Sequence, residues 1–460
     1  MNYDALPAYE VNVDASRVQG PLETWRLCMG IGGINAQPPD EALGERAVRA
    51  VQELRLPMVR IFLQEYLAVV MSDGSYDWRR IDAYVHGAAR LGDVMAAFCL
   101  KPDALFHRKD QTLIMPEAPE DAAAFEALAQ AVAERYAGII THWEIGNETD
   151  IGEDGGCPLI ITDDAAYCAY YKRMVAAIKR GNPQAKVGGT AVAYSSDSPQ
   201  LPSLIAWCRE GNAPLDFISW HFYSSNSEAH AALVRKYAAL LTDWPGTRPL
   251  MTVTEWAASF PSETGAVVET ADDAQRTASY FATACRYLDE GLDYSFFYHL
   301  YDCACYHDEF APFFQDVEIM NKHWNKVPHR FGMFGQDRRA RPHYQLWWLM
   351  RGMGDTRLAV QTAQPGFTVL AGADRHGGIA VMVGSQCAEG GVIADVHFIG
   401  LDCGVYSVLV ERVFGRENLS RDGLTLDAID EREISSDGVW RCPVYLPPDA
   451  VVRIALKKRR

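Results

Sequence analysis

The chain has 460 residues, 48% apolar and 22% charged, which is the balance of an ordinary globular protein with length enough for a large core. This composition excludes a disordered chain or a fibrous repeat. The formal net charge of −17 argues against nucleic acid or an anionic membrane as partner, because both demand concentrated basic charge.

Neither a basic leader followed by an apolar stretch nor a run of about 18 apolar residues is present, so no secretory signal and no membrane span are expected. The cysteines number eleven, an odd count, and Cys28, Cys99, Cys168 and Cys285 sit in apolar or helical stretches. They read as reduced, buried small hydrophobes, which points to the cytoplasm. Eleven tryptophans and 21 tyrosines exceed the needs of packing and suit sugar platforms, although aromatics are also ordinary core material. The terminal Lys457-Lys458-Arg459-Arg460 reads as a solvated tail.

In chain order, a first strand around 9–13 precedes a long alternation of short apolar runs and amphipathic segments. Strands are predicted at 25–31, 58–63, 94–100, 139–145, 186–192, 216–221, 250–254 and 294–300. Helices are predicted after them at 41–54, 79–91, 122–136, 164–180, 201–210, 227–241, 272–290 and 344–350. Eight strand and helix pairs predict the α/β class and a closed (β/α)8 TIM barrel over residues 21–353. Cap-like residues at Thr162-Asp163-Asp164 and Thr270-Ala271-Asp272-Asp273 support the helix starts. After residue 354 the pattern changes to short runs at 367–370, 379–383, 392–398, 406–413, 440–446 and 451–456, separated by Gly, Asp and Pro. These predict an antiparallel β-sandwich over 354–460, joined by the N-terminal strand within residues 1–20.

Two segments carry the chemistry. Trp143-Glu144-Ile145-Gly146-Asn147-Glu148 and Thr252-Val253-Thr254-Glu255-Trp256 each end an apolar strand on a glutamate, at predicted barrel strands four and seven. Carboxyl ends of parallel strands are where sites are built, and a pair of carboxyl groups there suits glycoside cleavage, one donating a proton and the other attacking. The plain alternative is two strand ends facing water. Asn147 is placed to donate its amide to a sugar 2-hydroxyl. His221 and Tyr223, two apart on strand six, face the same way, towards the cleft or into a core. Arg60 is an unexpected charge inside the second strand and must pair with Glu255 or another carboxylate of the barrel mouth.

With Asp216-Phe217-Ile218-Ser219-Trp220-His221-Phe222-Tyr223 and Thr254-Glu255-Trp256, the Asn147-Glu148 segment resembles glycoside hydrolase clan A, and most of all its family 39, the β-xylosidase and α-L-iduronidase relatives. The resemblance implies a retaining glycosidase with Glu148 as acid/base and Glu255 as nucleophile. It also places a strand-six histidine or aromatic residue beside the nucleophile, where it holds the carboxylate ionised, and an aromatic platform at the end of strand eight. Trp256 and Tyr298 are accordingly expected as walls of the sugar site, with core packing as the alternative. The family usually has an aromatic residue before Asn-Glu and a proline after it, whereas this chain has Gly146 and Thr149. A glycine there either widens the site or relieves packing between strands.

The stretch from Asp302 to Gly335, rich in aromatic, His and Asp residues, reads as a loop that sets specificity. Cys303, Cys305, His307, His323 and His329 fall short of a zinc pattern, so no metal is expected. Gly30-Ile31-Gly32-Gly33 lacks the rest of a dinucleotide fingerprint, so no cofactor is expected either. The resulting expectation is exo cleavage of a β-linked xylose, glucose or galactose unit in a short oligosaccharide or glycoside. The rivals are an α-L-arabinofuranosidase of the same clan and a non-catalytic carbohydrate-binding barrel. The sandwich is left three roles: a buttress, a contact in a homo-oligomer, or part of the pocket wall.

Overall fold

Buried parallel strands need apolar residues on both faces, and the runs singled out above supply them. The computed structural model describes residues 6–32, 37–64, 67–102, 105–109, 112–114, 119–151, 159–258, 271–302, 332–362, 366–386, 390–413 and 428–459. In order, its first strands are β1 (Ala8–Pro21), β2 (Leu27–Gly30), β3 (Met58–Leu63), β4 (Asp93–Phe98), the hairpin β5 (His107–Lys109) and β6 (Thr112–Ile114), and β7 (Ile140–Ile145). There follow β8 (Lys186–Val192), β9 (Phe217–Tyr223), β10 (Leu250–Ala257) and β11 (Tyr294–Tyr298). Strands β2, β3, β4, β7, β8, β9, β10 and β11 pair in sequence order and close on themselves as a parallel barrel. The predicted (β/α)8 architecture is therefore present.

Alternation sorts the side chains of each barrel strand into two sets. On β3, Val59, Ile61 and Leu63 face outward into the large core shared with the surrounding helices. Met58 faces inward, where it joins Cys28, Met95, Phe217 and Phe296 in an apolar plug. Higher on the same inner wall, Phe62, Ala97 and Cys99 form a small apolar ledge. Arg60 lies between plug and ledge.

Helix ends follow local chemistry. Asp163 caps Asp164–Gly181 by accepting from the Ala166 amide at 2.7 Å. The predicted helix at 41–54 is split into Pro39–Leu43 and Glu45–Glu53 at Gly44, whose φ of 76° no helical residue adopts.

The carboxyl-terminal strands are β12 (Thr356–Thr362), β13 (Phe367–Ala373), β14 (Ile379–Ser385), β15 (Val392–Ile399), β16 (Gly404–Val413), β17 (Ala428–Ser436), β18 (Val439–Leu446) and β19 (Val451–Lys458). With β1 they form one nine-stranded sheet, ordered β17-β16-β19-β14-β13-β12-β1-β15-β18. Its wings enclose a single apolar core containing Val11, Val381, Phe398, Val408 and Ile454. The N-terminal strand β1 pairs parallel to β15 and antiparallel to β12. Two strands of this sheet, β12 and β17, escaped prediction, as did the hairpin β5–β6; β17 is largely exposed and polar, so it has no continuous apolar signal. The sheet packs against helices Ala271–Asp289 and Pro342–Arg351, where Arg357 pairs with Asp289 and Arg453 donates to the Leu349 carbonyl at 3.3 Å. These contacts hold it against the barrel's flank.

Candidate active site

Glu148 follows β7 and Glu255 lies near the end of β10, so both stand at the carboxyl end of the barrel. One oxygen of each and a ring nitrogen of His221 all lie within 4.8 Å of one another. A register shift in β10 creates this meeting. Val253 pairs with Trp220, which faces outward, and Glu255 pairs with inward His221, leaving Thr254 as an extra residue in a bulge. Simple alternation from outward Val253 would have pointed Glu255 out as well.

Arg60 ties the site together. It is fully buried and donates from Nη1 to Glu255 Oε1 at 2.7 Å, from Nη2 to Asn147 Oδ1 at 2.6 Å and from Nε to Glu144 Oε2 at 2.7 Å. The Phe62 ring lies 4.5 Å from its guanidinium carbon. Burial works to lower its pKa, but the charges of Glu144 and Glu255 outweigh that and hold it above its ordinary value. The expected pairing with Glu255 is observed. Glu144, also fully buried, is a second partner that the sequence reading overlooked, although it carried the same signal as Arg60: a charge inside an apolar strand.

His221 and Tyr223 both face inward and divide the glutamates between them. His221 Nδ1 is 2.7 Å from Glu148 Oε1 and 3.6 Å from Glu255 Oε2. Burial pushes the His221 pKa down, so the imidazole is neutral at neutral pH. Tyr223 donates to Glu255 Oε2, and burial followed by the Glu255 charge pushes its hydroxyl well above the usual tyrosine range. The residue holding the Glu255 carboxylate is thus Tyr223, with His221 closer to Glu148.

Tyr298 meets Tyr223 edge-on at 5.8 Å and stands on the inner wall. Trp256 does not. It faces outward, fully buried among Tyr280, Tyr287, Phe297 and Trp347, because the residue after an inward Glu255 must point away from the barrel axis. Its assignment as a wall of the sugar site is corrected to core packing.

Gly146 has φ 84°, and a Cβ there would come within 3.1 Å of Thr149 Cγ2. The glycine turns the chain from β7 into the Asn147-Glu148 segment while buried Thr149 fills the space against it and bonds Gln200 at 3.0 Å. Backbone conformation and packing account for both departures, and Gly146 leaves no open room against Thr149.

Asp302 accepts from the Gly332 amide at 2.9 Å and pairs with Arg341, joining the two ends of the expected specificity loop. Residues 303–331, with Cys303, Cys305, His307, His323 and His329, lie outside the described residues. A cavity of about 440 Å³ lined by Asp150, Thr162, Tyr194 and Asp197 opens beside the Glu148 loop. Another of about 490 Å³ sits between helix Ala271–Asp289 and the sheet and contains neither glutamate. Neither glutamate lines the first cavity, which Asp150, two residues beyond Glu148, helps to wall.

A closed parallel barrel with two carboxylates meeting beside a buried arginine at its carboxyl end is an arrangement compatible with glycoside cleavage. The family model for glycosyl hydrolases family 39 matches residues 9–383, and the chain belongs to that family. It is a glycoside hydrolase. Its structure is similar to that of the GH39 enzyme from Xanthomonas axonopodis pv. citri, with 17% identity, TM-score 0.75 and coverage of 100% of this chain and 99% of that one. A monomeric beta-xylosidase from Caulobacter crescentus CB15 is 18% identical with TM-score 0.72, over 98% of this chain and 99% of the other. A glucosidase from Croceicoccus marinus is 16% identical with TM-score 0.71, over 98% and 100%.

Proposed function

We propose that the protein is a retaining, exo-acting glycosidase that removes a β-linked xylose, glucose or galactose unit from a short oligosaccharide or glycoside. The observation that carries the mechanism is the approach of Glu148 and Glu255 oxygens to within 4.8 Å, which suits the separation of about 5–5.5 Å used by retaining enzymes rather than the wider gap of inverting ones.

In the first step a Glu255 oxygen forms a bond to the anomeric carbon as the glycosidic bond breaks, and the leaving oxygen takes the proton from Glu148. In the second, Glu148 takes a proton from water, the water oxygen bonds to the anomeric carbon, and Glu255 departs as a carboxylate. Arg60 on Oε1 and Tyr223 on Oε2 stabilise that carboxylate before attack and on departure. Asn147, with Oδ1 held by Arg60, presents its amide nitrogen as the donor to the sugar 2-hydroxyl. Buried free thiols at Cys28, Cys168, Cys208 and Cys285 support a reducing compartment such as the cytoplasm.

The test is turnover of a panel of nitrophenyl β-xyloside, β-glucoside, β-galactoside and α-L-arabinofuranoside. On the preferred β-glycoside, Glu255→Ala should lose about 10³-fold or more in kcat, and azide should restore turnover with a glycosyl azide of inverted configuration. A rescued azide of retained configuration overturns the double displacement. Preference for the arabinofuranoside selects the clan rival, and sugar binding without cleavage of any member selects the binding barrel.

A further inference from the structure

Gln64 follows β3 at the catalytic end of the barrel and is only 1% exposed, yet among the described residues neither its amide oxygen nor its amide nitrogen has a hydrogen-bond partner. A buried amide without partners is costly, and such groups persist in native proteins mainly where something else calls for them. Its direction follows from the strand: Arg60 and Phe62 face the barrel interior while Ile61 and Leu63 join the outer core, so the next inward position is Gln64. Pairing extends to this level, where the Cys99 amide donates to the Leu63 carbonyl at 2.9 Å. Gln64 is therefore the next inward position after Phe62, level in register with Cys99 on β4.

We propose that Gln64 is a sugar-binding residue that recognises a hydroxyl, or two adjacent hydroxyls, on the glycone. This inference rests on the glycosidase reading and says how its sugar is gripped. A primary amide has an accepting oxygen and two donating hydrogens, which matches adjacent ring hydroxyls, each both donor and acceptor. A sugar so placed satisfies the amide, and an analogue lacking the matched hydroxyl leaves it unpaired and is rejected.

The test is Gln64→Met, which keeps the length and roughly the volume of the side chain and removes both polar atoms. Its kcat/KM on the preferred nitrophenyl glycoside should fall about 10- to 100-fold, while for one of the corresponding monodeoxy glycosides it should match wild type. The Tm should stay level or rise, because an unpartnered buried amide has been replaced by an apolar group. Unchanged kcat/KM on the full glycoside, or the same loss on every deoxy analogue, overturns the assignment. If wild type cleaves no glycoside, the enzyme reading fails separately. Calorimetric binding of xylose, glucose and galactose then decides: affinity weakened in Gln64→Met upholds the role, and equal affinity or no binding by either protein overturns it.

Discussion

Replacing Arg60 by methionine should separate the structural from the chemical consequences of the buried charge cluster. Arg60, Glu144 and Glu255 are all within 4% of complete burial, and the guanidinium reaches both carboxylates at 2.6–2.7 Å. Removing it strands two acids in the interior, which for broken buried pairs costs about 3–5 kcal/mol. At about 2 cal/mol/K per residue, a barrel of roughly 330 residues has an unfolding entropy near 0.7 kcal/mol/K, so the Tm should drop by about 4–7 °C. Arg60→Met/Glu144→Leu removes one stranded acid in favour of an apolar group and should recover at least about 2 kcal/mol. It should not recover activity. Glu255 Oε1 still lacks its donor, and kcat should remain about 10²–10³-fold below wild type in both variants. Urea unfolding and nitrophenyl glycoside kinetics on the three proteins read both quantities. A single variant within 1 kcal/mol of wild type, or a double variant no more stable than the single, refutes the charge argument.

Tyr223→Phe deletes the donor to Glu255 Oε2 while keeping the ring against Tyr298; kcat should fall about 10- to 100-fold with the stability within about 1 kcal/mol of wild type. A rate within twofold of wild type would show that Arg60 alone sustains the carboxylate. His230 is buried between Phe222, Trp256 and Tyr287, and burial pushes its pKa down to about 4. The unfolded chain protonates near pH 6.5, so stability present above that pH is lost as the pH falls towards 4, by about 3 kcal/mol from this group. The stability difference between wild type and His230→Gln should therefore shrink by that amount from pH 7 to 4; parallel curves from denaturant titration would exclude the effect.

Much of the site was readable because its signals are local. A charge in an apolar strand, as at Arg60, has few ways to be accommodated, and two glutamates closing buried runs at strands four and seven announce a barrel mouth. Glu144 carried a local signal too and was passed over because the neighbouring Asn147-Glu148 drew the assignment. Trp256 was misplaced for a different reason: proximity to a nucleophile in sequence says nothing about facing it in a strand. The roles of His221 and Tyr223 were legible as a shared direction, but which glutamate each one meets depends on β7 and β10 lying on either side of the cleft.

By itself the sequence determined the order of eight strand and helix pairs, the sheet that follows them, and the residues able to do chemistry at the barrel mouth, because alternation and amphipathic periodicity arise between near neighbours in the chain. Tertiary structure decided which way they point. The Thr254 bulge that turns Glu255 inward exists only as a mismatch between β10 and β9, set by hydrogen bonds to residues more than thirty positions away. Arg60 acquires its meaning from β7 and β10 in the same manner, and the lack of a partner for Gln64 among the described residues is visible only once those residues have a place. Pairing register is a property of two strands at once, and no single stretch of sequence contains it.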